Sequence, residues 1–193
     1  MTETVATRTD WLIEQLWGEG TDSTKRAPTS AIWAILDGAR DPRVFDMVRH
    51  SGMERVCLYA GALPDELFRA APHLIRLSQV TQFTRELLTA AWGRSWGIFF
   101  STPAGIDRLR THFRTFLRVQ DEQGRKLVFR YYDPRVFREY LPTCNADELN
   151  AVFGPVEEFV VEGQDGRTMA RFRRNGAALD RVAIPVLDRA PTA

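Results

Sequence analysis

Apolar residues fall along the chain in short blocks of two kinds, separated by polar breaks. Ala31-Ile32-Trp33-Ala34-Ile35-Leu36 is an unbroken β-rich run that stops at Asp37-Gly38. Asp41-Pro42 then opens a segment in which Val44, Phe45 and Val48 recur at helical spacing. The alternation repeats: a run Arg55 to Tyr59, a turn at Gly61, a short helix Asp65 to Ala70, a third run His73 to Leu77, a helical face of Phe83, Leu87, Leu88, Ala91 and Trp92, and a fourth run Trp96 to Ser101. Repeated strand and helix units predict an α/β layer with several strands in one sheet.

The second half departs from that rhythm. Thr102-Pro103 reads as a helix start, with a capping hydroxyl followed by a residue whose missing N–H costs nothing, and Ile106, Leu109, Phe113, Phe116 and Leu117 follow at helical spacing. Arg118-Val119-Gln120 and Lys126 to Tyr131 flank the polar connection Asp121 to Gly124 and predict a β-hairpin. Asp133-Pro134 starts a helix that Pro142 ends, and Asn145 with Glu148 forms a capping box for another that closes at Phe153-Gly154-Pro155. Val156 to Glu162 and Thr168 to Arg173 predict one more hairpin, followed by an extended tail ending Ala190 to Ala193.

The fold class expected is therefore α/β in the mixed α+β sense. Residues 1–29 form an N-terminal segment: a polar, frayed stretch Met1 to Asp10, a short helical stripe of Trp11, Leu12, Leu16 and Trp17, and a loop from Gly20 to Pro28. Residues 30–162 form the body, divided near 116 into an α/β part and a hairpin and helical part, and 163–193 form a C-terminal hairpin and tail.

Composition narrows the function. At 193 residues and 44% hydrophobic content the chain has enough apolar material for a real core, which excludes disorder throughout. A net charge of +1 removes the bulk electrostatic footprint of a DNA-binding domain. Arg supplies 24 of the 26 basic residues, a bias that GC-rich codon usage explains but that also suits bidentate protein contacts. Cys57 and Cys144 fit neither a disulfide framework nor a zinc site. No basic-then-apolar leader and no run of about 18 apolar residues is present, so a reduced, cytoplasmic protein is expected, neither exported by a signal peptide nor membrane-embedded.

The residues offer little catalytic chemistry. His50, His73 and His112 are far apart with no paired-ligand spacing, so no metal and no cofactor is expected. Cys57 lies in an apolar run, where an inert buried thiol is the simple reading. Trp92-Gly93-Arg94-Ser95-Trp96-Gly97 has glycines but lacks the context of a phosphate-binding loop. One block is dense, Phe129-Arg130-Tyr131-Tyr132-Asp133-Pro134-Arg135. Arg130, Asp133 and Arg135 are either an anion site at a helix start or a structural corner in which Asp133 caps its own helix and pairs with an arginine; the structural corner is the reading adopted.

Seven pieces of the chain, in order, resemble the adaptor or chaperone proteins of bacterial type VI secretion systems (domain of unknown function 4123). They are Ala34 to Ala39, Cys57 to Gly61, Ala71-Pro72-His73-Leu74, Trp96 to Phe99, His112-Phe113-Arg114 with Phe116 to Val119, the Phe129 to Arg135 block, and Phe153-Gly154-Pro155. His73 departs from the pattern, which commonly has Trp there. The resemblance implies a non-catalytic cytoplasmic protein that binds a cognate effector toxin and loads it onto the spike protein of the secretion machine, without nucleic acid or membrane as partner. Its rivals are a small-ligand enzyme using the Arg130, Asp133 and Arg135 corner, and a nucleic-acid binder using the basic stretch from Ser101 to Tyr140, where 9 basic residues face 5 acidic ones. For partner binding the nominated residues are Arg114, Phe137, Arg138 and Tyr140, aromatics and arginines on or beside the polar faces of their helices; core packing is the competing role for Phe137 and Tyr140.

Overall fold

Two-sided burial is what the unbroken apolar runs encode. The computed structural model describes residues 7–18, 30–120 and 123–187; the stretch before residue 7, the Gly20 to Pro28 loop, Asp121-Glu122 of the hairpin connection and the end of the tail lie outside them. The fold is mixed α+β. In chain order its elements are α1 (Arg8–Trp17), β1 (Ala31–Asp37), α2 (Pro42–His50), β2 (Arg55–Cys57), α3 (Asp65–Ala70), β3 (Pro72–Arg76), α4 (Gln82–Ala91), β4 (Gly97–Thr102) and α5 (Ile106–Arg114). They continue as β5 (Arg118–Gln120), β6 (Lys126–Val128), α6 (Pro134–Tyr140), a 3-10 turn Leu141–Thr143, α7 (Ala146–Phe153), β7 (Glu158–Glu162), β8 (Thr168–Asn175) and β9 (Ala178–Pro185).

Seven strands form one sheet in the order β2-β3-β1-β4-β7-β8-β9, and every neighbouring pair is antiparallel. Hairpin β5–β6 is a separate two-stranded sheet. Successive side chains of a strand point to opposite faces, and here both faces are covered. Trp33, Ile35, Ile98, Phe100, Phe159, Val161 and Phe172 pack under α5, α6 and α7. Ile32, Ala34, Leu36, Phe99, Val160 and Met169 pack against α1, α2 and α4. An antiparallel sheet with one wet face would read as apolar and polar in alternation; one buried on both sides reads as the continuous runs seen here.

Three expectations change. The helix after β4 begins at Ile106, not Pro103, because Thr102 ends the strand and its Oγ accepts from Ala104 N at 3.1 Å while donating to Pro155 O at 2.6 Å, which makes a turn in place of a cap. Residues 7–10 are ordered, since Thr7 and Asp10 form a reciprocal capping box that starts α1. The segment after Asn175 is β9, paired with β8 from Asn175↔Ala178 to Thr168↔Pro185, where an extended tail was expected. The C-terminal strands thus extend the same sheet that β1 and β4 centre, and the buried Arg171 of β8 reaches across to donate to Gln15 O of α1 at 2.9 Å.

Candidate functional site

At the Phe129 to Arg135 corner, Asp133 is the N-cap of α6 and is buried. Its Oδ1 accepts from Arg135 N at 2.9 Å and from Arg135 Nε at 2.9 Å, and Arg135 Nη2 reaches Oδ2 at 2.5 Å. The same tripeptide occurs once more: Asp41-Pro42-Arg43 caps α2 with Oδ1 accepting from Arg43 N and Arg43 Nε, each at 2.9 Å. A geometry repeated at an unrelated helix start is a property of the Asp-Pro-Arg sequence itself: Pro presets the first turn, and the residue after it can hydrogen-bond the cap with backbone and side chain together. Burial alone would raise the Asp133 pKa, but the bonds from Arg135 outweigh it and hold the carboxyl below its ordinary value.

Arg130 does not join this pair. It points to Asp37 at the end of β1, with Nη1 3.7 Å from Oδ2. Asp37 is 1% exposed; Oδ1 accepts from Ala39 N at 3.0 Å, and Oδ2 has no hydrogen-bond partner among the described residues. Burial pushes the Asp37 carboxyl above the usual range, only partly offset by the Ala39 N–H and Arg130. Tyr132 is buried close by, and burial followed by the Asp37 charge raises its phenol far above normal. The corner therefore holds two carboxylates with separate arginines and opposite shifts.

The four nominated partner-binding residues have mostly internal contacts. Arg114 donates from Nε to Leu58 O at 2.9 Å and from Nη2 to Tyr59 O at 2.7 Å, bracing the loop after β2 against α5. Arg138 donates from Nη1 to Glu162 O at 2.5 Å, tying α6 to β7. Phe137 is a correction: it is fully buried, 4.8 Å from the Phe159 ring and 6.0 Å from the Phe172 ring, because its side of α6 faces β7 and β8. Tyr140 is half-buried with its ring edge-on to Phe129 at 4.8 Å.

Sequence reasoning missed Glu162. Buried at the end of β7, it accepts from Gly93 N at 2.5 Å, Ser95 N at 2.7 Å and Ser95 Oγ at 3.1 Å. Gly93 and Ser95 both have positive φ, +83° and +57°, and their N–H groups, on either side of Arg94, whose own N–H donates to Ala91 O at 3.0 Å, converge on the one carboxylate. The glycine-bearing loop does bind an anion, and that anion is the protein's own carboxylate. Its only signal in the sequence is an acidic residue inside the apolar run Glu158-Phe159-Val160-Val161-Glu162.

No histidine or cysteine enters the hydrogen bonds given above for Asp37 and Asp133. His73 Nε2 donates to Phe68 O at 3.1 Å between the rings of Phe45 and Phe68, and burial depresses its pKa. His112 Nε2 donates to Val152 O at 3.0 Å, and burial lowers its pKa as well. A Cβ on Gly154, where φ is +46°, would lie 2.4 Å from His112 Cε1, which accounts for the Phe-Gly-Pro sequence at the end of α7. Cys57 is half-buried, and burial raises its thiol. His73 and Cys57 line a groove of about 710 Å³ beside Phe45, Met53 and Phe68. Among the described residues no three His, Cys, Asp or Glu side chains are grouped as metal ligands would be, and no helix is long and apolar enough to cross a membrane.

Surface of a different character lies on the β5–β6 hairpin, whose six strand residues are all exposed, Val119, Leu127 and Val128 among them.

The family model described as "Domain of unknown function (DUF4123)" matches residues 32–151. The chain belongs to this family. The DUF4123 match contains both Asp-Pro-Arg caps, the Arg114 brace and the hairpin, and it stops within α7. It omits α1 and β7 to β9, although β7 is the strand that pairs with central β4. Glu158, Glu162 and Arg171, which hold α1 and the 93–95 loop in place, therefore lie outside the DUF4123 stretch. No curated protein and no solved structure matches the chain.

Proposed function

We propose that this DUF4123 protein is a non-catalytic, cytoplasmic adaptor or chaperone of type VI secretion that binds a cognate effector protein and hands it to the spike protein of the machine. The ordered series of seven sequence pieces supports the reading, six of them within the family match and Phe153-Gly154-Pro155 just beyond it. The observation that carries it is the commitment of the polar residues in those pieces to the fold: Asp133 to its helix cap, Arg114 to Leu58 O and Tyr59 O, and His112 to Val152 O. Side chains so engaged hold a scaffold together, and they leave recognition to exposed surface. No nucleic acid, membrane or cofactor enters this reading.

Co-expression of the tagged full chain with the effector and spike proteins encoded in the same secretion cluster tests it. A stoichiometric complex with the effector that survives gel filtration is expected. Absence of a complex with every effector and spike candidate of the cluster would overturn the proposal.

A further inference from the structure

The β5–β6 hairpin carries an exposed apolar strip. Leu117 is buried and Phe129 half-buried, and Phe129 N donates to Leu117 O at 3.1 Å. Two residues further along each strand, Val119 sits opposite Leu127 on the same face, and there both are exposed, 40% and 47%. The core's apolar surface thus continues outward without cover. Val128 on the other face is 56% exposed beside Arg118.

Backbone geometry adds to this. In an antiparallel ladder hydrogen-bonded and non-bonded pairs alternate. With Leu117 and Phe129 bonded, Val119 and Leu127 form the next bonded pair, and the N–H and C=O groups of Arg118, Gln120, Lys126 and Val128 point away from the partner strand. A hairpin of two strands is marginal by itself and is stabilised by a third. Charge selects the occupant. Arg118 and Lys126 have no acidic partner among the described residues, and residues 118–128 carry Arg118, Arg125 and Lys126 against Asp121 and Glu122, Arg130 being directed at Asp37.

We infer that this hairpin accepts an extended, acidic and alternately apolar segment of the effector as a third strand. The inference rests on the adaptor reading and names the chemistry of the partner. Apolar side chains of the segment cover Val119 and Leu127, its carboxylates face Arg118 and Lys126, and its backbone satisfies the outward groups. Single-stranded nucleic acid is the poorer match, because β5 and β6 carry no aromatic ring on which a base would stack.

The test uses the full chain and a fluorescent eight-residue peptide of alternating valine and glutamate, with its lysine counterpart and a proline-interrupted version as controls. Saturable binding of the glutamate peptide, about tenfold or more tighter than either control, is expected, with slowed amide exchange confined to residues 118–128. Val119→Ser with Leu127→Ser weakens binding about tenfold or more, and Arg118→Glu with Lys126→Glu transfers preference to the lysine peptide. Because all four side chains are exposed, the melting temperature stays within about 2 °C of the parent. Equal binding of the glutamate and lysine peptides, no binding, or displacement of the peptide by a polythymidine oligonucleotide at matched concentration would overturn the inference. Full co-purification of the effector by the Val119→Ser, Leu127→Ser chain sinks the hairpin site and leaves the adaptor reading standing; failure of the parent chain to hold any effector sinks the adaptor reading.

Discussion

Asp37 and Asp133 are both buried, yet they respond to pH with opposite signs, because one is hydrogen-bonded as an anion and the other is mainly desolvated. Asp133 has its pKa lowered by Arg135 in spite of burial, so it contributes stability above the ordinary carboxylate range and loses it as pH falls through the lowered value. Asp133→Ala should cost about 1–2 kcal/mol at neutral pH, the range for a lost cap; Arg135 is exposed and adds little once freed. The gap between variant and parent should close in acid. Asp37 has its pKa raised by burial, so its contribution is present below the ordinary range and is lost as pH rises through the raised value. Asp37→Asn, which keeps an oxygen for the Ala39 N–H, should therefore melt higher than the parent at neutral pH, and its advantage should shrink as pH falls. Thermal melts across that range check both signs; a lower melting temperature for Asp37→Asn at neutral pH would mean that the Arg130 pair outweighs the burial cost.

Among the elements, the turn between α4 and β4 depends on a side chain far away in sequence. Glu162 uses both carboxylate oxygens, Oε2 for Gly93 N and Oε1 for Ser95 N and Oγ. Glu162→Gln leaves one oxygen where two are needed and turns a donor toward a backbone N–H. A loss of about 1–3 kcal/mol is expected, the cost of a buried donor without an acceptor. Amide exchange should quicken at Gly93 and Ser95 and stay unchanged in the β5–β6 hairpin, which forms its own two-stranded sheet. The result to look for is that locality: uniform acceleration across the sheet would mean that Glu162 supports the whole fold.

For the whole molecule, the family boundary and the folding unit do not coincide. A chain ending at Gly154 would lack β7 to β9, exposing one side of β4 and removing Phe159, Val161 and Phe172 from one core and Val160 and Met169 from the other. The Glu158 and Arg171 pair, both buried, with its bond to Gln15 O would go as well, leaving α1 held by its packing on α4 and the Asp10–Arg85 and Thr9–Thr89 contacts. Such a chain should show helical far-ultraviolet dichroism without a cooperative melt. A chain ending at Gly176 loses only β9, whose residues are mostly exposed, and should keep a cooperative transition.

Helix starts were legible in the sequence because each is decided within a few residues: Asp41-Pro42-Arg43, Asp133-Pro134-Arg135 and Asn145 with Glu148 each contain the donor and the acceptor, and the first two also the proline that restrains the backbone. Thr102-Pro103 carries the same local signal and misleads, because the Thr102 hydroxyl finds Pro155 O across the fold. Apolar runs determined by themselves that strands would be buried; that they are buried on both faces of one antiparallel sheet, in the order β2-β3-β1-β4-β7-β8-β9, was decided by tertiary packing. The same holds for Arg130 choosing Asp37 over Asp133, for Glu162 filling the 93–95 loop, and for Phe137 entering the core. Those partners are tens of residues apart, and no spacing rule links them. Sheet order brings them within reach, and burial then selects the pairings that leave the fewest polar groups without a partner.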